Sequence, residues 1–267
     1  MESSPDHLHR YQAVQFGDGG EITLQSIIWR YMTFEKFCWL IEKSLLRHTR
    51  LDQFEDPFEG AVTNAYARMR DRGELEPYFS LREHEPWVFK SLRCRQFATC
   101  WHASEHESDA QWKLYSAGGA GVAVVSTMTR LRDSVDLSPR KGILADISYV
   151  DFENHGMRRQ TGGRTAIRPG HLKRKSFEHE KEVRGIILTD LIVEGESFAM
   201  DEAFLEKQRL LQPEFIDAKV DLKGLVQEIV VSPIAKPFVE ELVRIVTERH
   251  SLDHLVRRSE LLKSPAY

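Results

Sequence analysis

The sequence predicts a single α+β domain with a mixed, strongly twisted sheet and helices around it. Three observations carry that expectation. Strand-like stretches recur at 22–31, 97–102, 122–125, 143–152 and 225–231, rich in alternating or β-branched apolar residues. Helical spacing separates them, as in Phe34, Phe37, Cys38, Ile41 and Leu45, and later in Phe238, Leu242, Ile245 and Val246. A chain of 267 residues, 41% hydrophobic and 29% charged, has enough apolar material for a full core.

In chain order, residues 1–20 are polar and end in Gly-Asp-Gly-Gly, which reads as a loose arm before a domain over 21–267. Thr33 is a candidate N-cap for the first helix, on which Cys38 reads as a buried, unreactive thiol. Residues 46–51 read as a short strand with its basic residues outside. At 54–59, Phe-Glu-Asp-Pro-Phe-Glu, Asp56 can cap, Pro57 suits the first helical position and Glu59 completes a capping box. This predicts an exposed rigid corner, with Phe54 and Phe58 buried and a helix running to about residue 70. Trp87, Val88, Phe89 and Leu92 suggest a brief helix, and residues 131–140 a polar connector.

Residues 99–127 read as strand, short helix, strand. Ser108 and Gln111 form a Ser-x-x-Gln capping box, Gly118 and Gly119 stop the helix, and residues 122–125 suit a central strand. Trp112 and Tyr115, three apart, share one helix face, as core rings or with one lining a pocket. Further on, no acidic residue occurs between Asn154 and Phe177, while seven Arg and Lys residues do, from Arg158 to Lys175. Such a stretch is either a solvated loop or a place to gather phosphates. Glu178, Glu180 and Glu182 follow, which on a strand would share one face with Arg184. Crowded carboxylates need compensating cations, and Arg184 or the basic stretch can supply them. They are either a salt-bridged strand end or a catalytic pair. Asp201 opens a helix to 211, Pro237 opens another, and 254–258 reads as a last strand.

The formal net charge of −4 gives no global drive towards nucleic acid or acidic membranes. Three cysteines argue against a disulfide framework and for a cytoplasmic location; no stretch reads as a signal peptide or a membrane span. Cys94, Cys100, His102 and His106 lack the paired spacing of a structural zinc site. No nucleophile elbow, Walker loop or dinucleotide fingerprint occurs.

Several stretches, in order, resemble a bacterial family known as domain of unknown function 2971. They are Trp29-Arg30-Tyr31, the corner Phe54–Glu59 with Glu55 at a usual Asn, Trp112-x-x-Tyr115, Gly121-Val-Ala-Val, and Lys175, Phe177, Glu180, Glu182 and Arg184. More remotely, the outline resembles ADP-ribosyltransferases: a polar residue on an early strand, an aromatic in the middle, and a late Glu-x-Glu. That resemblance implies NAD as a substrate. It casts Arg30 (or Tyr31) as the diphosphate contact, Tyr115 or Trp112 as the ring on nicotinamide, and Glu182 or Glu180 as the key acid. Trp29, Arg184 and Lys175 complete the expected NAD-binding surface. It also implies a macromolecular acceptor, protein or nucleic acid, in a toxin or anti-phage setting. Two other readings stand beside it: a nucleic-acid or phospholigand binding module, and a metal-dependent nuclease with Asp56, Glu59, Glu180 and Glu182 on Mg²⁺.

Overall fold

A computed structural model describes residues 10–15, 22–74, 85–116, 120–156, 169–192 and 201–265. In chain order the elements are β1 (Tyr11–Gln15), β2 (Ile27–Thr33), α1 (Phe34–Lys43), β3 (Leu45–Arg50), α2 (Asn64–Asp71), α3 (Glu85–Arg95), β4 (Gln96–Ala103) and α4 (Asp109–Tyr115). Then come β5 (Gly121–Thr127), α5 (Met128–Ser134), β6 (Val135–Asp136), β7 (Gly142–Asp146), β8 (Ser148–Val150), β9 (Leu172–Arg174) and β10 (Glu182–Leu188). The chain closes with α6 (Glu202–Leu211), β11 (Phe215–Val220), α7 (Leu222–Leu225), β12 (Glu228–Val231), α8 (Pro237–Glu248) and β13 (Val256–Arg258). The fold is α+β with a mixed sheet, ordered β1-β7-β10-β4-β2-β5-β12-β13. Its inner pairings are antiparallel; β1 with β7 and β12 with β13 are parallel.

Strand β4 is forked. Its Ala103 and His102 pair with β2, whereas its Ala98 and Phe97 pair with β3 on the same edge. Between them, Thr99–Trp101 pair with β10 alone among the described strands. One sheet face holds the main core, including Ile28, Phe37, Ile41, Trp101, Val124 and Val183. The other holds two smaller apolar clusters, one around Trp29, Tyr31 and Trp112, one around Leu51, Ala98 and Ile186.

The sequence expectations need correcting in several places. Tyr11–Gln15 is not part of a loose arm but an edge strand, and Tyr11 packs so closely on Gly185 that a Cβ there would collide with its phenol. Strand β3 buries His48 and Arg50 instead of turning them outwards. Buried Tyr11 donates to His48 Nε2, and Arg50 reaches carbonyls of Arg209, Gln212 and Pro213, partners distant in sequence. The corner at 54–59 opens no helix; α2 starts at Asn64, capped by the Thr63 hydroxyl, and Phe54 and Phe58 are half-buried. Cys38 is half-buried.

The expected connector at 131–140 contains the end of α5 and β6, with Leu131, Val135 and Leu137 buried. The strand expected at 143–152 divides into β7 and β8, and β8 pairs with β9 in a separate ribbon. On α8 the core side is Val239, Val243 and Thr247, one residue round from the expected stripe, leaving Phe238, Leu242 and Ile245 exposed. Ser108 caps α4 as expected, but its own N–H goes to the Tyr31 hydroxyl and not to Gln111, so the box is half formed; Asp201 caps α6. Gly118, Gly119 and residues 157–168 of the basic stretch lie outside the described residues.

Candidate functional site

Strand β10 brings Glu182 opposite His102 and Arg184 opposite Cys100, and His102 in turn lies opposite Trp29. Directly opposed residues share a face. Glu182, Arg184, His102, Cys100, Trp29 and Tyr31 therefore line one side of the sheet, the side that α4 covers with Trp112. The expectation that Glu178, Glu180 and Glu182 alternate on one strand fails: residues Lys175–Glu180 form a 3-10 turn and the strand starts at Glu182. Lys181, with a positive φ of 40°, makes the corner between them.

The acidic residues are tied to cations. Arg184 donates through Nε to Glu182 Oε1 at 2.6 Å and through Nη2 to Glu182 Oε2 at 2.9 Å and Glu59 Oε1 at 3.0 Å. Lys173, carried by the β8–β9 ribbon, donates to Glu180 at 2.7 Å and Glu182 at 3.1 Å, and lies 3.3 Å from Glu59. Asp56 pairs with Arg174 and accepts from the Phe58 N–H. Tyr149, on the same ribbon, accepts from the Glu182 N–H at 2.7 Å.

Burial alone would raise the Glu182 pKa, but Arg184 and Lys173 overcome it and hold the carboxyl at about 2. Burial would likewise lower Lys173, and Glu182 and Glu59 reverse the sign, so its ammonium is held well above the usual lysine range. Formally, three carboxylates (Glu59, Glu180, Glu182) face two cations (Lys173, Arg184), which leaves one negative charge. Glu180 is the most open of the three, with 15% of its side chain exposed against 5% for Glu182 and 2% for Glu59.

The aromatic wall divides by exposure. Trp112 is buried and meets Tyr31 edge-on at 4.8 Å, while Tyr115 is 43% exposed. Burial and then the Glu180 charge push the Tyr115 phenol up to about 12, so it stays protonated at neutral pH. The wall is latched from behind by Glu107. Its carboxylate accepts from Trp112 Nε1 at 3.2 Å, Arg257 at 3.0 Å, the Ser259 hydroxyl at 2.5 Å and the Glu260 N–H at 2.8 Å. Burial raises the Glu107 pKa, and these donors outweigh it to lower it.

Not every expected site residue arrives here. Arg30 is the main correction. Its neighbour Trp29 faces His102, so Arg30 projects to the opposite side, where it donates to the Thr99 hydroxyl and stacks 5.7 Å from the Trp101 ring. Tyr31, the alternative early-strand residue, is on the acidic side, its hydroxyl accepting from the Ser108 N–H at 2.9 Å. Lys175, expected on the NAD-binding surface, is exposed, and it is Lys173 of the basic stretch that pairs with the glutamates. Glu59 is not at an open corner but buried against Arg184. Of the carboxylates named for Mg²⁺, Glu59, Glu180 and Glu182 gather on Lys173, whereas Asp56 pairs with Arg174. Among the described residues no group of three His, Cys, Asp or Glu is placed to hold a metal. Cys94 lies by Asp52 (3.6 Å), and burial and then the nearby Glu182 charge raise the Cys100 thiol. Sequence reasoning missed Lys173, Tyr149 and Glu107; only Lys173 had a signal, the acid-free stretch before the glutamates.

No family model matches the chain, and no curated protein or solved structure matches it either. The family resemblance thus rests on the motifs quoted above. Among the described residues no helix is long and apolar enough to cross a membrane.

Proposed function

We propose that the protein is an ADP-ribosyltransferase-like enzyme that consumes NAD and modifies a macromolecule. What supports this reading is the sharing of one sheet face by the late acidic residues, the early-strand aromatics and the Trp–Tyr helix. Cleaving the bond between nicotinamide and ribose develops positive charge on the ribose. The surplus negative charge of the Glu59–Glu180–Glu182 group, two of whose carboxylates are buried, favours such a transition state over its ground state. In this reading Glu180 is the carboxylate that touches the ribose or the acceptor, since it is the accessible one. Glu182 holds Lys173, and Lys173 positions Glu180. Tyr115 is the stacking ring, because Trp112 is buried.

Mass spectrometry of a cell extract incubated with NAD and the protein tests the proposal. The expected result is an ADP-ribose adduct that Glu180→Gln reduces at least a hundredfold, the scale of a lost acid–base group. Tyr115→Ala is expected to weaken NAD use while melting like the wild type. No adduct with wild-type protein, or an adduct indifferent to Glu180→Gln, overturns it.

A further inference from the structure

A second surface, on the β3–β11 pair, has a different chemistry. In the β3–β11 pairing Phe215 lies opposite Thr49, Asp217 opposite Arg47 and Lys219 opposite Leu45, so these six residues share the outer side of the ribbon. Phe215 is 41% exposed, and so is Trp39 on the neighbouring α1. The Arg47 guanidinium sits between the two rings, 3.6 Å from the Phe215 centroid and 5.2 Å from that of Trp39. Asp217 grips it with two bonds of 2.9 Å. Three planar groups are thereby held in a fixed, open row at little further entropic cost.

The row continues into a cavity of about 510 Å³, lined by Arg10, Lys43, Ser44, Ser134 and Lys219 among others. Lys43 joins the two parts, its ammonium 5.9 Å from the Trp39 ring. Of the cavity's acids, Asp133 is paired with Arg132, while Asp136 and Asp221 accept the Ser138 and Lys223 N–H groups and keep their charge, so three cations face two carboxylates without a cation of their own. Arg10, Lys43 and Lys219 have no carboxylate partner among the described residues.

We propose that this surface binds single-stranded nucleic acid, with bases stacked on Trp39 and Phe215 and backbone phosphates in the Lys43–Lys219–Arg10 cavity. Exposed rings beside unpaired cations are what an unstacked strand needs, because every base offers a π-face and every linkage a charge. Duplex DNA hides its base faces and would meet too few cations here. The inference does not depend on the acidic site or on NAD.

Fluorescence anisotropy tests it with labelled oligo-dT and oligo-U strands of about 12 nucleotides, started at about 50 mM salt where phosphate contacts are strongest. Both strands are expected to bind, and Trp39→Ala or Phe215→Ala to weaken binding about tenfold each. The double variant Lys43→Gln/Lys219→Gln is expected to flatten the dependence of log K on log salt by about 1.4, at about 0.7 per contact. Thermal melts should match wild type, since all four side chains are surface groups. Absence of strand binding, ring variants that bind like wild type, or a duplex or mononucleotide bound as tightly as the strand, would each refute the surface.

Discussion

Two arginines, Arg184 fully buried and Arg30 half-buried, reach neighbouring residues of β4 from opposite sides of the sheet, and their fates differ. Arg184, beside Cys100, has Glu182 and Glu59 against its guanidinium; burial opposes its charge, and these carboxylates reverse that, raising its pKa well above the usual value. Arg30, beside Thr99, has a hydroxyl and an indole, and burial lowers its pKa. The same side chain in the same sheet is thus a clamped ion pair on one side and a costly solitary cation on the other. Desolvation sets the penalty in both places, and the presence of carboxylates decides whether it is met.

The largest expected effect comes from breaking the clamp. Arg184→Met leaves Glu182 and Glu59 buried without their main partner and is expected to cost about 3–5 kcal/mol in urea unfolding. A loss below 1 kcal/mol would mean that Lys173 alone suffices.

The two faces also differ in acid. Glu182 has its pKa depressed from 4.5 to about 2, so its contribution is full above the ordinary carboxylate range and is lost as pH falls from 4.5 through about 2. On the Arg30 side, burial and then the Arg30 charge lower His48 from 6.5 to about 3. The unfolded chain binds that proton first, so stability falls as pH drops from 6.5 towards 3, by at most about 1.4 kcal/mol per pH unit. His48→Gln is expected to flatten the curve between pH 6.5 and 4.5 and to leave below pH 4.5 only the carboxylate part of the loss. Chemical denaturation across that range checks it, and an unchanged slope between pH 6.5 and 4.5 would contradict it.

The smallest effect is expected for Arg30→Met. Removing a cation with no carboxylate partner should shift stability by less than about 1 kcal/mol, with stabilisation the more informative sign. A loss as large as that of Arg184→Met would erase the distinction between the faces.

What the sequence disclosed was local. The Ser108 cap needs only three following residues, and Glu182 and Arg184 share a face because a strand has period two. What it hid was long-range. Asp56 and Glu59 satisfy the spacing of a capping box, but Glu59 turns inward because Arg184, 125 residues later, supplies the charge that makes its burial tolerable. Residues 178–180 alternate like a strand, yet Lys181 turns left-handed and a 3-10 turn places Glu180 on Lys173. Arg30 illustrates a third limit: the residue type was readable, but its side of the sheet depended on a one-residue register.

The Glu107 latch bears on the order in which the molecule is made. Ser259 lies 152 residues beyond Glu107, so at about 5–20 residues per second the ribosome needs on the order of 10 s to deliver it. Until then Glu107 also lacks Arg257 and the Glu260 N–H, and the tryptophan it steadies is secured from one end only. A nascent chain therefore carries Trp112 well before the residues that anchor its latch exist.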